Sequence, residues 1–300
     1  MVAVMGAKDV RLDAVEASQA EAARLHLPER LVRVLRDLPR LAIAYSGGLD
    51  SRFLCHAAQL CHCDVLALHA CGPHIPSRES AKAQTWARRR GLNLICVEYS
   101  PLRLPEVAQM TKKRCYACKK GLIALLRQEL SQRGEDRTLC DGSNADDMRA
   151  FRPGLKALAE GNVRSPLAEA DLGKTALRAA ARDSGLDQPE QRARSCLLTR
   201  FAYGHSPDLA MLKRLEAVEV ALEGLSADLG DFRLRLTPAP LLQAQHLPAD
   251  ALRPLRVLLQ RHGFTSCALM ESAQVSGWYD QGSAGPMPDQ EVLDFSPKIS

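Results

Sequence analysis

The chain has 300 residues, which suits one large or two medium domains with ample core. A net charge of +5 and only 4% aromatic residues argue against a dedicated nucleic-acid surface, which needs a strong basic stripe or stacking aromatics. No stretch approaches the roughly 20 apolar residues that cross a bilayer, and Met1–Lys8 carries no signal-peptide core, so the expectation is a cytoplasmic protein that meets no membrane.

In chain order, residues 9–25 have helical spacing rich in Ala, Glu and Arg and read as an extra surface helix within residues 1–28. A second helix is expected over 28–38, with Pro28 at its start and Leu31, Val32, Val34 and Leu35 as its apolar positions. Leu41–Tyr45 reads as a buried strand, Ser46–Ser51 as a tight glycine turn and Arg52–Leu60 as the helix behind it. Val65–Ala70 is a second strand, and Ser77–Arg90 an amphipathic helix stopped by Gly91. Leu94–Glu98 (strand), Gly121–Gln132 (helix) and Thr138–Cys140 (short strand) follow. The last strand leads into Asp141–Asp147, and Lys174–Ser184 is helical before Gly185.

Strands alternating with helices predict an α/β fold, a doubly wound parallel sheet covered on both faces. Ligands of such sheets bind at the C-terminal strand edges, so Ser46–Ser51 and Asp141–Asp147 are expected in one crevice. After residue 200 the pattern changes to a helix over Leu209–Leu225 and a strand over Phe232–Leu236. Pro238 and Pro240 interrupt, a helix covers Asp250–His262, and Thr265–Met270 reads as a last strand. The expected division is the α/β domain over 1–200 and a smaller α+β C-terminal domain over 201–300, with a mobile tail from Gly282.

Chemistry concentrates in three places. The first is Ser46-Gly47-Gly48-Leu49-Asp50-Ser51, where a strand, a glycine turn and a helix start make an anion site. No G-K-[ST] follows, so the loop is not a Walker loop, and the third glycine of a dinucleotide turn is absent. The form S-G-G-x-D-S resembles the PP-loop ATP pyrophosphatases, which implies cleavage of ATP to AMP and pyrophosphate. Arg52 stands where that family more often has a small residue.

The second place is Cys115-Tyr116-Ala117-Cys118, flanked by Lys112, Lys113, Arg114, Lys119 and Lys120. Cys-x-x-Cys is the spacing of zinc sites, iron–sulfur clusters and redox disulfides, and the cations are expected to favour thiolates. A solvated basic helix start with incidental cysteines is the plain alternative. The third is Cys196 among Arg192, Arg194 and Arg200. Ten cysteines are many for a cytoplasmic chain. Cys55, Cys96, Cys140 and Cys267 read as small buried hydrophobes, and the Cys61-His62-Cys63 spacing suits packing better than a shared ion.

Over about residues 30–220 these segments, with Arg152-Pro153-Gly154-Leu155-Lys156-Ala157, Val163-Arg164-Ser165-Pro166-Leu167 and Cys196 to Gly204, resemble the LarE family of PP-loop sulfur transferases. That resemblance implies adenylation, with ATP and Mg²⁺, of a carboxylate of pyridinium-3,5-biscarboxylic acid mononucleotide, a small-molecule nucleotide substrate. Sulfur then displaces AMP, on the way to the nickel-pincer cofactor. One family type sacrifices the sulfur of its single cysteine. The type with the added Cys-x-x-Cys resembles this chain and implies a 4Fe-4S cluster on Cys115, Cys118 and Cys196, refilled by a sulfide donor. Zinc with His205 as fourth ligand is the rival metal.

The implied phosphate holders are Ser46, Gly47, Gly48, Leu49, Asp50 and Ser51, with Gly142, Asn144, Asp146 and Asp147 beside them. The acidic loop has a second reading, an Asx turn that caps a helix. Arg200 is expected to bind a substrate carboxylate or phosphate, and one of Glu216 and Glu219 to face a second site or solvent. Gln243 and Gln245 stand where the family tends to be acidic, a departure in the C-terminal part. A homo-oligomer is expected. A PP-loop transfer-RNA thiolase and a non-catalytic nucleotide or iron–sulfur sensor are the alternative functions.

Overall fold

A computed structural model describes residues 21, 26–150, 153–192, 195–225 and 228–279. The expected N-terminal helix over 9–25, apart from residue 21, and the tail from Gly282 lie outside the described residues, as do Arg152, Ala193 and Arg194. The described chain forms two compact units. The first takes the described residues within Met1–Cys71, Ser77–Tyr99 and Cys115–Ala193, and the second those within Gly72–Pro76, Ser100–Arg114 and Arg194–Ser300.

The first unit is an α/β layer structure. Its strands are β1 (Arg40–Ala44), β2 (Asp64–Cys71), β3 (Asn93–Glu98) and β4 (Thr138–Cys140). They form one sheet in the order β3-β2-β1-β4, with every neighbouring pair parallel. Alternate residues of the central strands enter opposite cores, as strand geometry requires. Leu41, Ile43, Val65 and Ala67 pack with helices α1 (Glu29–Arg36), α2 (Leu49–Leu60) and α3 (Ser77–Arg89). Ala42, Leu66 and Leu68 pack on the other face with Ile123, Leu126 and Leu130 of the helix Arg114–Gln132.

Chain order reverses direction between β1 and β4, because β2 and β3 lie to one side of β1 and β4 to the other. The loops leaving β1 and β4 therefore diverge from neighbouring strand ends, the place where open α/β sheets bind ligands.

Several elements differ from the sequence expectation. A short helix α4 (Pro105–Ala108) belongs to the second unit, and α5 runs Arg114–Gln132, about two turns longer at its start than expected. The Cys-x-x-Cys segment is thus helical. Helices α6 (Ala145–Arg149), α7 (Gly154–Glu160) and α8 (Pro166–Glu169) are too short to show a period in the sequence, and α9 (Lys174–Asp183) follows them. Cys55, Cys140 and Cys267 are buried, but Cys96 is exposed, since it sits on the edge strand β3.

In the second unit, α10 (Leu209–Glu223) buries Leu212, Leu215, Val218 and Leu222 along one face. The strands β5 (Phe232–Arg235), β6 (Leu241–Ala244) and β7 (Ala268–Glu271) make a mixed sheet, with β6 central, antiparallel to β5 and parallel to β7. Helix α11 (Leu252–Arg261) lies between the last two strands in sequence and packs against α10. β6 is an element the sequence reading lacks: Pro238 and Pro240 precede it and only two of its four residues are large and apolar.

Candidate active site

The loop after β1 is shaped by steric necessity. Gly47 has φ +78°, and a Cβ there would stand 2.3 Å from the Cβ of Ala83 on α3, so only glycine fits. A closed ring of hydroxyls braces the turn. Ser51 Oγ donates to the Gly48 carbonyl (3.1 Å) and contacts Ser46 Oγ (3.1 Å), while the Ser46 and Gly48 amides donate to Ser51 Oγ and Ser46 Oγ (3.3 Å each).

Gly48 is the extended N-cap of α2, and no side chain caps that helix. The first amides of a 12-residue helix thus gather at the loop with the positive end of its dipole, the arrangement that receives a phosphate. Asp50 and Lys174 lie beside it. Lys174 Nζ donates to both oxygens of the Asp50 carboxylate, at 2.7 and 2.8 Å. A lysine in the first turn of a helix opposes the helix dipole, and α9 has no acidic residue there. That signal marks Lys174 in the sequence.

The loop after β4 lies against the head of α2. A Cβ on Gly142 would stand 2.9 Å from the Ser51 amide nitrogen, so glycine permits the backbones to touch. Asp141 is buried and fully engaged: it accepts from the Ser143 amide (3.1 Å), the Ser143 hydroxyl (2.7 Å) and the Ser165 hydroxyl (2.7 Å), and Lys119 Nζ sits 3.6 Å away.

Asn144 caps α6 in a capping box. Its Oδ1 accepts from the Asp146 and Asp147 amides, and the Asp147 carboxylate accepts from the Asn144 amide. Asp146 binds the backbone amide of Lys174 at 2.7 Å. Asp50 and Asp146 are thereby joined through the two nitrogens of one lysine. They supply hard oxygen donors, the kind that suits a divalent magnesium ion.

Cys115 and Cys118 sit three apart on one face of the first turns of α5. Cys115 is exposed and Cys118 half-buried. Tyr99 donates to the Cys118 carbonyl at 2.5 Å. Burial pushes the Cys118 thiol up, outweighing the opposing pull of the Tyr99 hydroxyl and the Lys119 cation. The flanking cations therefore do not by themselves make it a thiolate, because most of them point to solvent. Lys112, Lys113 and Lys120 are exposed. Among the described residues, no group of three or more His, Cys, Asp or Glu side chains is gathered as a metal site.

Cys196 belongs to the second unit, at the start of a single 3-10 turn over Leu197–Arg200. Arg200, buried beneath it, pairs with Glu219 through two bonds (2.9 and 2.6 Å) and donates to the carbonyls of Ser195 (3.1 Å) and Cys196 (3.2 Å). Arg233 donates to the Ser195 hydroxyl (2.8 Å), and Arg235 to the Thr199 carbonyl (2.6 Å) and to Gln243. Burial pulls the Arg233 and Arg235 guanidinium groups down from their ordinary value, Arg235 to about 10.

Of the two α10 carboxylates, Glu219 turns inward to Arg200 and the Leu234 amide, while Glu216 is half-buried. Gln243 is fully buried and accepts from Arg235, while its amide nitrogen donates to Ser272 and Gln274. Arg233 and Arg235 are residues that the sequence reading missed. Their alternation with Phe232 and Leu234 looks like an ordinary solvated strand face. His205 is exposed, its ring 3.1 Å from the Tyr203 carbonyl.

No family model matches the chain. A protein of Lactiplantibacillus plantarum named pyridinium-3,5-bisthiocarboxylic acid mononucleotide synthase is 32% identical over 197 residues, which cover 65% of this chain and 71% of that protein. An uncharacterized protein of Synechocystis is 32% identical over 198 residues, 66% of this chain and 74% of that protein. An uncharacterized protein of Methanocaldococcus jannaschii is 31% identical over 180 residues, 60% of this chain and 68% of that protein.

Proposed function

The chain belongs to the LarE family of sulfur transferases, and from that premise we propose that it adenylates a carboxylate with ATP and replaces a carboxylate oxygen by sulfur. The observation that carries the reading is the uncapped head of α2 behind Ser46–Ser51, with Lys174 bridging Asp50 and Asp146. The β- and γ-phosphates would sit on the amides of that helix start, and Asp50 and Asp146 would hold a Mg²⁺ ion that supplies charge neutralisation there. A substrate carboxylate oxygen attacks the α-phosphorus. The bond from that phosphorus to the bridging oxygen breaks, and pyrophosphate leaves with the electron pair, held by the loop. Sulfur then attacks the activated carbonyl carbon, and AMP departs with the carboxylate oxygen.

The thiols of Cys115, Cys118 and Cys196 are soft donors that fit an iron–sulfur group better than a hard cation. A 4Fe-4S cluster on these three residues would supply the transferable sulfide. Arg200 and Arg233 hold the backbone and hydroxyl around Cys196 rather than standing open to solvent. Arg200's part in substrate binding thus comes through fixing this segment. The substrate proposed is pyridinium-3,5-biscarboxylic acid mononucleotide, matching the product named for the Lactiplantibacillus relative.

The test is direct. Anaerobically prepared protein, given ATP, Mg²⁺ and that dicarboxylate, releases pyrophosphate and forms a thiocarboxylate visible by mass. Release without any substrate dependence, or none at all, contradicts the reading. Cys196→Ala still releases pyrophosphate and forms no thiocarboxylate.

A further inference from the structure

Arg52 lies one turn into α2 and is 3% exposed, an unusual place for an arginine. Its guanidinium stacks over the Trp86 ring at 4.9 Å. Nη2 donates to the Asp187 carbonyl and lies 3.5 Å from the Asp187 carboxylate, which also accepts from Trp86 Nε1 at 2.7 Å. Nη1 donates to Oε1 of Gln191 at 2.9 Å.

That last bond fixes the orientation of the Gln191 amide, since the reverse orientation would set an N–H against the guanidinium. Nε2 therefore faces the other way and donates to the Gly47 carbonyl at 3.2 Å. In a trans peptide the carbonyl and the following N–H point to opposite sides. With the Gly47 carbonyl turned toward Gln191, the Gly48 N–H is turned toward Ser46 Oγ, where the loop hydroxyls gather. Glycine on both sides of this peptide makes a flip cheap, so the orientation needs an external hold.

We infer that Gln191, oriented by Arg52, is a positioning residue for the loop: it sets the Gly47–Gly48 peptide so that the Gly48 N–H holds Ser46 Oγ in the loop proposed to receive the ATP phosphates. The inference rests on the ATP reading above. It explains why an arginine is buried directly after Ser51, and it gives the segment before Cys196 a part in phosphate binding.

Calorimetric titration of the full chain with magnesium pyrophosphate tests it, alongside thermal melts. Gln191→Met weakens binding by about threefold to tenfold, the effect of one lost positioning bond, with little change in melting temperature. The loss persists at high salt, because Gln191 carries no charge. Arg52→Met also weakens binding, and the double variant is no weaker than the weaker single variant, as a relay requires. Should Gln191→Met fail to fold, Gln191→Glu keeps the acceptor for Arg52, sets an oxygen against the Gly47 carbonyl, and weakens binding likewise. Wild-type affinity in the folded Gln191 variants, or independent effects of the two sites, overturns the inference alone. Failure of the wild-type protein to bind pyrophosphate or ATP overturns the ATP reading and this inference together.

Discussion

The loop of the first unit and the cysteine segment of the second solve opposite problems. At Ser46–Ser51 the backbone is bent tightly and the helix behind it starts without a side-chain cap. Around Cys196 the buried arginines are tied to fixed partners within the second unit. Arg200 meets Glu219, the Ser195 and Cys196 carbonyls accept from Arg200, and Arg233 takes the Ser195 hydroxyl. The first region leaves helix amides without a side-chain cap, as the proposed phosphate site needs. The second keeps a short, irregular piece of backbone in one shape, which suits the sulfur-carrying role proposed for Cys196.

The comparison can be broken most sharply in the second unit. Glu219→Ala leaves the buried Arg200 cation without its carboxylate and should cost about 3–5 kcal/mol in a denaturant melt. If that variant melts like the wild type, the segment is not held by its ion pair. In the first unit, Gly47→Ala forces a Cβ into Ala83 at an unfavourable φ and should cost about 2–4 kcal/mol, with loss of phosphate binding. An alanine variant that binds pyrophosphate normally would deny the loop its stated geometry.

Acid should act on both units at once, and more gently. Burial, aided by the Arg90 cation, holds His56 of the first unit at about 4, and burial holds His74 of the second unit at about 4. Both stay neutral in the fold, while the unfolded chain takes up protons below about pH 6.5. Stability is therefore complete above pH 6.5 and falls as pH drops toward 4, by about 1–2 kcal/mol per histidine at pH 5. His56 Nε2 meets the Ser184 carbonyl at 3.0 Å and Nδ1 meets Arg90 at 2.6 Å, a pattern a neutral ring satisfies. Replacing His56 by Gln should flatten the melting-temperature slope between pH 6.5 and 5, and an unchanged slope would place the acid sensitivity elsewhere.

How much of this the sequence showed differs by region for physical reasons. The parallel sheet was legible because β1 and β2 are buried on both faces and alternate with helices long enough to show a period, such as α3 and α9. The start of α5 was hidden, since Lys112 to Lys120 looks like a solvated run although Cys118 turns partly inward. β6 was hidden behind two prolines, and its one fully buried polar residue, Gln243, is tolerated only because Arg235, Ser272 and Gln274 satisfy it.

At the site, the glycine motif declared itself by its spacing. Lys174, Gln191 and Arg233 did not, because their partners lie 124, 144 and 38 residues away in the chain and no local pattern records such a pairing. Asn144 and Asp147 show the reverse. Their capping box was readable locally, and it accounts for much of the acidic loop's composition.

Pyrophosphate release on mixing the anaerobic protein with ATP, Mg²⁺ and the pyridinium dicarboxylate mononucleotide measures the account's central claim, that the uncapped head of α2 serves substrate activation. The account predicts release that requires the dicarboxylate and disappears in Gly47→Ala. Equal release with and without the dicarboxylate, or release undiminished in that variant, would contradict it.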